Sequence, residues 1–547
     1  MIIRKQPPRP HQLHEPIRHD GSHPRPMTRR DFMATGFMSG QAVLIGGSAL
    51  LGALAAPRVA RGANTTTLAS DIQTLQSVCN ITNGAGKIPF ICFDLAGGAN
   101  LAGSEVLIGG KGGQLDFLST AGYGKLGLPG NMLPNSANPG SASGTFVDTS
   151  LGLAWHADGA MLRGIHSMAS AAAQASTNGA AIAAISQNDT QNDPHNPMYG
   201  IYAAGADGSL LPLIGTQPSV SGGNSMAPAA LVTLFPTVRP TVVTRASDIT
   251  GLVNTGQLGT MFSNPADAVT VLESTIRLSG GTSLNAFGGA LGNVSVMPGD
   301  ATTDTNLKTA MRCGYVKSTV LVNEFGSPSA LNPDLDTDIV GASGIFTTQQ
   351  YTDSDFKMTA AVMKTVINGY AGAGTITLSG FDYHDGTRAT GETRNFHAGQ
   401  CIGACLEYAK RLGKPLMIYV FSDGSLNSTN MIDTSAAGRG KFGWQGDNQA
   451  TAATFFLVYN PAGRPVVNPA TATPNQIGYF TADGSVSSTS SPAANAINLL
   501  VNTVILNYMA LHGQQGNFAT TIANNGLGTN LDPLIAFGQI VNGVIGT

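Results

Sequence analysis

Residues 375–386, TITLSGFDYHDG, begin as an apolar run and end in a polar corner. A helical pattern, ETRNFHAGQCIGACLEYAKRLGK (392–414), follows them. A second apolar run, PLMIYVFSDGS (415–425), then ends in another polar corner. Strands that alternate with helices in this way predict a largely parallel sheet covered by helices on both faces. The chain is therefore predicted to be an α/β protein, with its ligand chemistry at the carboxyl ends of the strands.

Further elements of the same kind flank this region. The sequence predicts strands at 88–93 and 453–459 and helices from Ser354 or Asp355 onward and over 494–513. Residues 206–350 are less regular and are predicted to form a loop-rich insertion or a cap. We expect one α/β domain over 63–515, after a leader at 1–62 and before a C-terminal tail at 516–547.

The composition excludes several classes of function. Charged residues make up only 11% of the 547 residues, against roughly 25% in a typical soluble protein. Residues 1–62 carry nine Lys or Arg and three Asp or Glu, so their charge is +6 and that of the remaining chain is −9. An acidic body argues against nucleic acid or anionic lipid as the main partner.

The leader has the parts of an export signal. Residues 28–33, TRRDFM, match the twin-arginine pattern, and a Gly-diluted apolar run over 37–56 follows. Small residues at 60–62 predict cleavage there, with 53–55 as a rival site. A retained transmembrane anchor is the alternative, because the run is about 20 residues long. The sequence thus predicts the twin-arginine export machinery as a partner, a periplasmic or secreted location, and no stable membrane span after cleavage.

The cysteines predict packing rather than a disulfide scaffold. There are only five, an odd number at low density. Cys401 and Cys405 lie four residues apart on one predicted helix, where a bridge would constrain little. We therefore expect both of these side chains to pack in the core.

Polar side chains recur where apolar runs end or begin. The corners are DLAGGAN (94–100), FDYHD (381–385), FSDGS (421–425) and GWQGDNQ (443–449). Carboxylates and imidazoles gathered from separate strand ends can hold a divalent metal such as Zn, Ca, Mg or Mn. The alternative for each residue is structural, because Asp and Asn in loops commonly accept hydrogen bonds from backbone amides.

In chain order, the twin-arginine leader, the Gly-Gly loop, LSGFDYHDG, the His397 helix and VFSDGS resemble a known family. It is the group of exported bacterial proteins called domain of unknown function 1501, within the alkaline-phosphatase/sulfatase superfamily. The resemblance covers roughly residues 87–515 and implies an alkaline-phosphatase-like fold. It also implies metal positions and a loop histidine that assists proton transfer or binds metal. The implied metal positions are Asn100, Asp382, His384, Asp423, Asp447 and Asn448, and the implied catalytic residue is His195.

The chain departs from the family pattern at three places. The loop before His195 reads Asp193-Pro194, so no nucleophilic hydroxyl precedes the histidine. Gly424 and Ser425 follow Asp423, and the Arg that the family has after this acid is missing. Asn448 replaces a histidine ligand and suits zinc poorly. These departures predict a site for one metal ion rather than a full two-zinc centre.

Three functions compete on these grounds. The first is a metal-dependent hydrolase of phosphate or sulfate esters, acting on a small anionic ester. The second is a non-catalytic member of the fold that serves binding or assembly at the cell surface, with a surface polymer as its partner. The third, a carbohydrate-binding or matrix protein, depends only on the richness in Ser, Thr, Asn and Gly.

Overall fold

A computed structural model describes residues 67–545, except for 80, 82–83, 187–192, 253–261, 263, 284–285, 327 and 472. The predicted leader, with its twin-arginine motif and cleavage sites, lies outside the described residues. None of the helices in the described part of the chain is long and apolar enough to cross a membrane.

The strands fall into one large sheet and two small ones. They are β1 (Phe90–Gly98), β2 (Val147–Asp148), β3 (Trp155–His156), β4 (Thr177–Ala183), β5 (Leu211–Gly215), β6 (Thr241–Val242), β7 (Ala371–Leu378), β8 (Leu416–Gly424), β9 (Leu426–Ile432), β10 (Phe442–Asp447), β11 (Ala453–Tyr459) and β12 (Gln476–Ile477).

The α-helices of the described residues are α1 (Ser70–Val78), α2 (Thr120–Lys125), α3 (Ala160–Met168), α4 (Ala171–Ala175), α5 (Met198–Ala203), α6 (Ala229–Val232), α7 (Pro265–Gly280), α8 (Gly289–Gly292), α9 (Ala301–Phe325), α10 (Ser354–Ile367), α11 (Ala389–Leu412), α12 (Ile497–Leu511) and α13 (Phe518–Thr521).

The large sheet has eight strands in the order β12-β4-β11-β8-β1-β7-β5-β6. Strand β11 runs antiparallel to both of its neighbours, β4 and β8, and the other pairs are parallel. The predicted α/β fold with a largely parallel sheet is therefore confirmed.

Both faces of the sheet are covered, because successive side chains of a strand point to opposite faces. On β1, Ile91 and Phe93 belong to one buried apolar cluster, which includes residues of α3, α10 and α11. Phe90 and Cys92 belong to a second cluster, which includes residues of α5 and α12. The near-continuous apolar strands in the sequence follow from this two-sided burial. Cys401 and Cys405 are buried, as predicted, and carry free thiols.

The irregular region 206–350 contributes to two different parts of the fold. Strands β5 and β6 extend the large sheet beyond β7. Helices α7 and α9 instead pack with α1 around two small apolar clusters, and a disulfide joins Cys79 to Cys313. This disulfide spans 234 residues of sequence and was not anticipated. The helical part is thus tied to the start of the described chain.

The C-terminal segment packs against the body of the protein. Phe518, Ile522 and Phe537 are buried in the second apolar cluster, together with residues of α12. Phe537 also forms a β-bridge with Val467. Packing therefore continues beyond the boundary predicted at residue 515.

Candidate functional site

Five strand ends bring polar loops to one edge of the large sheet. Strands β1, β4, β5, β7 and β8 run parallel, so the loops that follow them leave from their carboxyl ends together. The antiparallel strand β11 begins at the same edge, which places the residues just before it there as well. The predicted corners after β1, β7 and β8 and before β11 thus share one edge.

Asp382, His384 and Asp447 meet at this edge, and we call them the edge cluster. Nδ1 of His384 lies 2.5 Å from Oδ1 of Asp382 and 3.6 Å from Oδ1 of Asp447. One ligand atom from each residue lies within 4.8 Å of the other two. Their side chains are 54%, 42% and 51% exposed, respectively, so solvent and small solutes reach them.

The donor set of the edge cluster fits a single divalent cation. One imidazole and two carboxylates are the ligand types that zinc and manganese accept in proteins. Three protein ligands on an exposed surface leave coordination positions open for solvent or substrate. The clustering therefore supports the coarse prediction that the acids and histidines of the strand ends can hold a metal.

Close backbone contacts position Asp382. Gly97, at the end of β1, has φ of +111°, and a Cβ built on it would lie 2.5 Å from the backbone nitrogen of Asp382. Any side chain at residue 97 would therefore push the loop of Asp382 away. The Gly-Gly loop of the sequence is required here for the close approach of two backbones.

A hairpin of β9 and β10 positions Asp447, which is the last residue of β10. The loop after His384 pairs with this hairpin, because Gly386 N donates to Trp444 O (2.8 Å) and Trp444 N donates to Thr387 O (3.0 Å). These hydrogen bonds connect the loop to the hairpin and hold His384 near Asp447.

Buried charges fasten this unit to α11. The Arg388 guanidinium lies over the Trp444 ring at 4.5 Å and donates to Glu392 at 3.0 Å. The Lys441 ammonium donates to the same carboxylate at 2.8 Å and to Asp158 O at 2.7 Å. Burial opposes ionisation of Glu392, but Lys441 and Arg388 lower its pKa overall. A charged network therefore lies beneath the edge cluster.

Asp423, predicted as a metal ligand, lies at the same edge but is not part of the edge cluster. It is fully buried. Its Oδ1 accepts a hydrogen bond from Gly97 N at 3.0 Å, and its Oδ2 accepts one from the Asn224 side chain at 3.3 Å. Asp423 thus holds the Gly-Gly loop against which Asp382 packs.

The two predicted asparagine ligands have structural contacts. Asn448 Oδ1 accepts a hydrogen bond from Ala450 N and caps a short 3-10 turn. The Asn100 side chain is buried and donates to Leu426 O at 2.8 Å. The edge cluster contains three of the six predicted ligands, and the buried Asn100 Oδ1 has no hydrogen-bond partner among the described residues.

His195, predicted as the catalytic residue, is fully buried. Its ring stacks on Phe421, and its Nε2 lies 3.3 Å from Ser186 Oγ. Burial lowers the pKa of His195 to about 4, so the imidazole is neutral near neutral pH. Its surroundings suit packing at the sheet edge better than contact with a substrate.

Asp94 is a buried carboxylate that the sequence reasoning did not single out. Its Oδ2 accepts hydrogen bonds from Asn224 N (2.6 Å) and Ser225 N (2.8 Å). Burial raises its pKa to about 6 despite these bonds. Asn224 therefore connects Asp94 to Asp423. The signal was present in the sequence, since Asp94 is the first residue of the DLAGGAN corner that follows the first apolar run.

A second His–carboxylate group, the cleft cluster, consists of Asp353, Asp355 and His397. Nε2 of His397 lies 3.2 Å from Asp355 Oδ2 and 3.7 Å from Asp353 Oδ1. Asp353, rather than Ser354 or Asp355, caps α10, because its Oδ1 accepts from the Asp355 and Phe356 amides. The His397 ring packs on Phe356 at 4.6 Å. The sequence predicted both helices but not the contact between His397 and the two carboxylates.

Comparison with known proteins found no match to this chain. No protein-family model, no curated protein and no solved structure matches the chain. The conclusions about function therefore depend on the geometry of the two clusters and on the motifs in the sequence.

Proposed function

We propose that this chain is an exported, metal-dependent hydrolase of phosphate or sulfate esters with an alkaline-phosphatase-like fold. The observation that carries the proposal is the edge cluster. Asp382 and His384 come from the GFDYHDG motif, Asp447 comes from the hairpin before β11, and all three converge at the edge where parallel sheets bind ligands.

In this proposal, Asp382, His384 and Asp447 hold one divalent cation. When bound, such a cation polarises a phosphoryl or sulfuryl oxygen and lowers the pKa of a water molecule. The exposure of the cluster gives an anionic ester access from solvent. Asp423 contributes indirectly, since it holds the Gly-Gly loop beside Asp382.

The location of the protein is part of the same proposal. The twin-arginine motif supports passage through the twin-arginine export machinery to the periplasm or the medium. The disulfide between Cys79 and Cys313 supports this assignment, because disulfides persist in oxidising compartments and are rare in the cytosol.

The second candidate is a non-catalytic protein of the same fold that binds or assembles at the surface. It is favoured by the capping role of Asn448 and the burial of His195, both of which the resemblance had placed in the catalytic centre. A chain that keeps the fold and loses these roles retains only a binding surface at the sheet edge.

One experiment separates the two candidates. The purified protein is analysed for bound metal and assayed with aryl phosphates and aryl sulfates in the presence of Zn²⁺, Mn²⁺, Mg²⁺ or Ca²⁺. We expect turnover that requires one of these ions and is lost in the double variant Asp382→Asn/His384→Gln. A folded protein without turnover under any of these conditions favours the non-catalytic candidate.

A further inference from the structure

The cleft cluster lies in a cleft of about 540 Å³ between the start of α10 and the first turns of α11. This volume falls in the range of roughly 300–1,000 Å³ that is common for sites of small ligands. All but one of its lining residues are polar or charged; they are Asp353, Asp355, Ala389, Thr390, Thr393, Arg394 and His397. Such a lining offers several polar groups to the hydroxyl groups of a ligand.

Arg394 connects this cleft to the edge cluster. A Cβ built on Gly380 would lie 2.9–3.0 Å from the Cζ, Nε and Nη2 atoms of Arg394, so the guanidinium lies directly against Gly380. Gly380 also has φ of +86°, which favours glycine. Asp382 follows two residues later, and its Cα is at most about 7.6 Å from that of Gly380. Arg394 therefore lines the cleft and also contacts the chain two residues before Asp382.

The Arg394 guanidinium is available to a ligand. Its side chain is exposed, and among the described residues none forms an ion pair or a hydrogen bond with it. A guanidinium can donate two parallel hydrogen bonds to a phosphate or sulfate group. Phosphate and sulfate esters are the substrates of the proposed function, and a binding group for their anion was missing from the edge cluster alone.

The charges of the cleft fix the orientation of such a ligand. Asp353 and Asp355 repel an anionic group and Arg394 attracts one, so the anion is directed to Arg394. The same carboxylates accept hydrogen bonds from hydroxyl groups. The oxygens of Thr390 and Thr393 each retain acceptor capacity after donating to Asp385 and to the Ala389 carbonyl.

From these observations we propose that the substrate is a phosphorylated or sulfated sugar, with its anionic group bound by Arg394 and its sugar ring in the cleft. The inference rests on the proposed function, since it assigns the alcohol part of the ester. Asp353, Asp355 and His397 then contact sugar hydroxyls rather than a second metal ion.

Calorimetry with the full chain tests the binding without requiring turnover. The probes are glucose 6-phosphate, glucose 6-sulfate, glucose and inorganic phosphate, and the proteins are wild type, Arg394→Ala, Arg394→Lys and Asp355→Asn. We expect glucose 6-phosphate to bind wild type at least tenfold more tightly than either glucose or inorganic phosphate. The sulfate ester shows whether the anion site distinguishes the two ester types.

The variants test the anion-binding part and the sugar-binding part of the site separately. Arg394→Ala should weaken the binding of glucose 6-phosphate about tenfold to hundredfold, because a hydrogen-bonded charge pair contributes about 1.5–3 kcal/mol. The same variant should leave the binding of glucose unaffected. Arg394→Lys should restore part of the loss. Asp355→Asn should weaken the binding of all three sugar probes and leave the binding of inorganic phosphate unaffected. Arg245→Ala is the control, since its side chain is 77% exposed and lies outside the cleft lining.

The outcomes separate this inference from the proposed function. Equal binding of inorganic phosphate and glucose 6-phosphate overturns the sugar assignment, as does unchanged affinity in Arg394→Ala. Hydrolysis of aryl esters without any binding of sugar esters refutes the inference and leaves the proposed function intact. Arginine-dependent binding of sugar esters without any cation-dependent hydrolysis supports the cleft and refutes the hydrolase.

Discussion

The edge cluster and the cleft cluster contain the same three groups, one imidazole and two carboxylates, but they are assembled differently. The edge cluster gathers its residues from the loop after β7 and from the end of a hairpin. The cleft cluster takes both acids from the start of one helix, where Asp353 already accepts two backbone amides. A carboxylate that caps a helix has less capacity left for a cation. We therefore assign the cation to the edge and the neutral part of the ligand to the cleft.

The largest expected effect concerns the support of the edge cluster. Lys441→Met removes a buried ammonium from Glu392 and should lower the free energy of unfolding by about 3 kcal/mol, because Arg388 and Arg163 remain on the carboxylate. Because the hairpin that carries Asp447 is fastened there, cation affinity should fall as well, whereas sugar binding in the cleft should not. Urea unfolding measures the stability. Lys317→Met, an exposed change on α9, should stay within about 0.5 kcal/mol of wild type.

Buried His195 provides a contrast to the exposed histidine of the edge cluster. Its pKa is about 4 in the folded protein and near 6.5 in the unfolded chain. Between pH 6.5 and 4 the unfolded chain binds a proton that the folded protein does not, so stability falls with decreasing pH by about 3 kcal/mol. Stability measured across this window should fall less in His195→Gln. Identical slopes in the two proteins would show that His195 is accessible to protons in the folded state.

A matched pair of substitutions tests the assignment of the cation directly. Asp382→Asn should weaken Zn²⁺ or Mn²⁺ binding by at least about 100-fold, because one of three ligands is lost. Asp355→Asn, the same chemical change in the cleft cluster, should alter it less than about threefold. Titration calorimetry gives both values. Equal losses of cation affinity in the two variants would contradict the assignment of the cation to the edge cluster alone.

The smallest expected effect concerns the helix cap. Asp353→Ala removes the acceptor for two amides of α10 and should cost about 1 kcal/mol, whereas Asp353→Asn should retain most of the stability. Thermal unfolding of both variants measures the difference. An equal loss in the two variants would mean that the charge near His397, and not the cap, is what stabilises the helix.

Local patterns predicted the sheet and part of the site. The apolar runs at 375–378 and 416–421 were recognisable as strands, and their ends identified Asp382 and His384. Asp447 was also identified, because it lies shortly before another apolar run. The position at a strand end placed these residues at the shared edge of the sheet, and the family resemblance marked them as metal positions.

The other site residues depended on contacts that no local pattern carries. Asp423 is as close to a strand end as Asp382, but its Oδ1 already accepts a hydrogen bond from the backbone amide of Gly97. Asn448 caps the next turn, and His195 lies beneath the loops. The meeting of Asp355 with His397 requires α10 to pack on α11, and the bridge between Cys79 and Cys313 joins residues 234 positions apart.

The direction of β11 has a consequence for how such a site can change over evolutionary time. Because β11 runs opposite to β8, the chain between Gly424 and Ala453 leaves and re-enters the sheet at the same edge. The sheet therefore fixes only the two ends of this segment, which contains Asp447. Leu426 and Trp444 of this segment are buried in the core, whereas Asp447 is half exposed. Substitutions at its exposed positions, and not changes in its length, would therefore remove or add a ligand without disturbing the core.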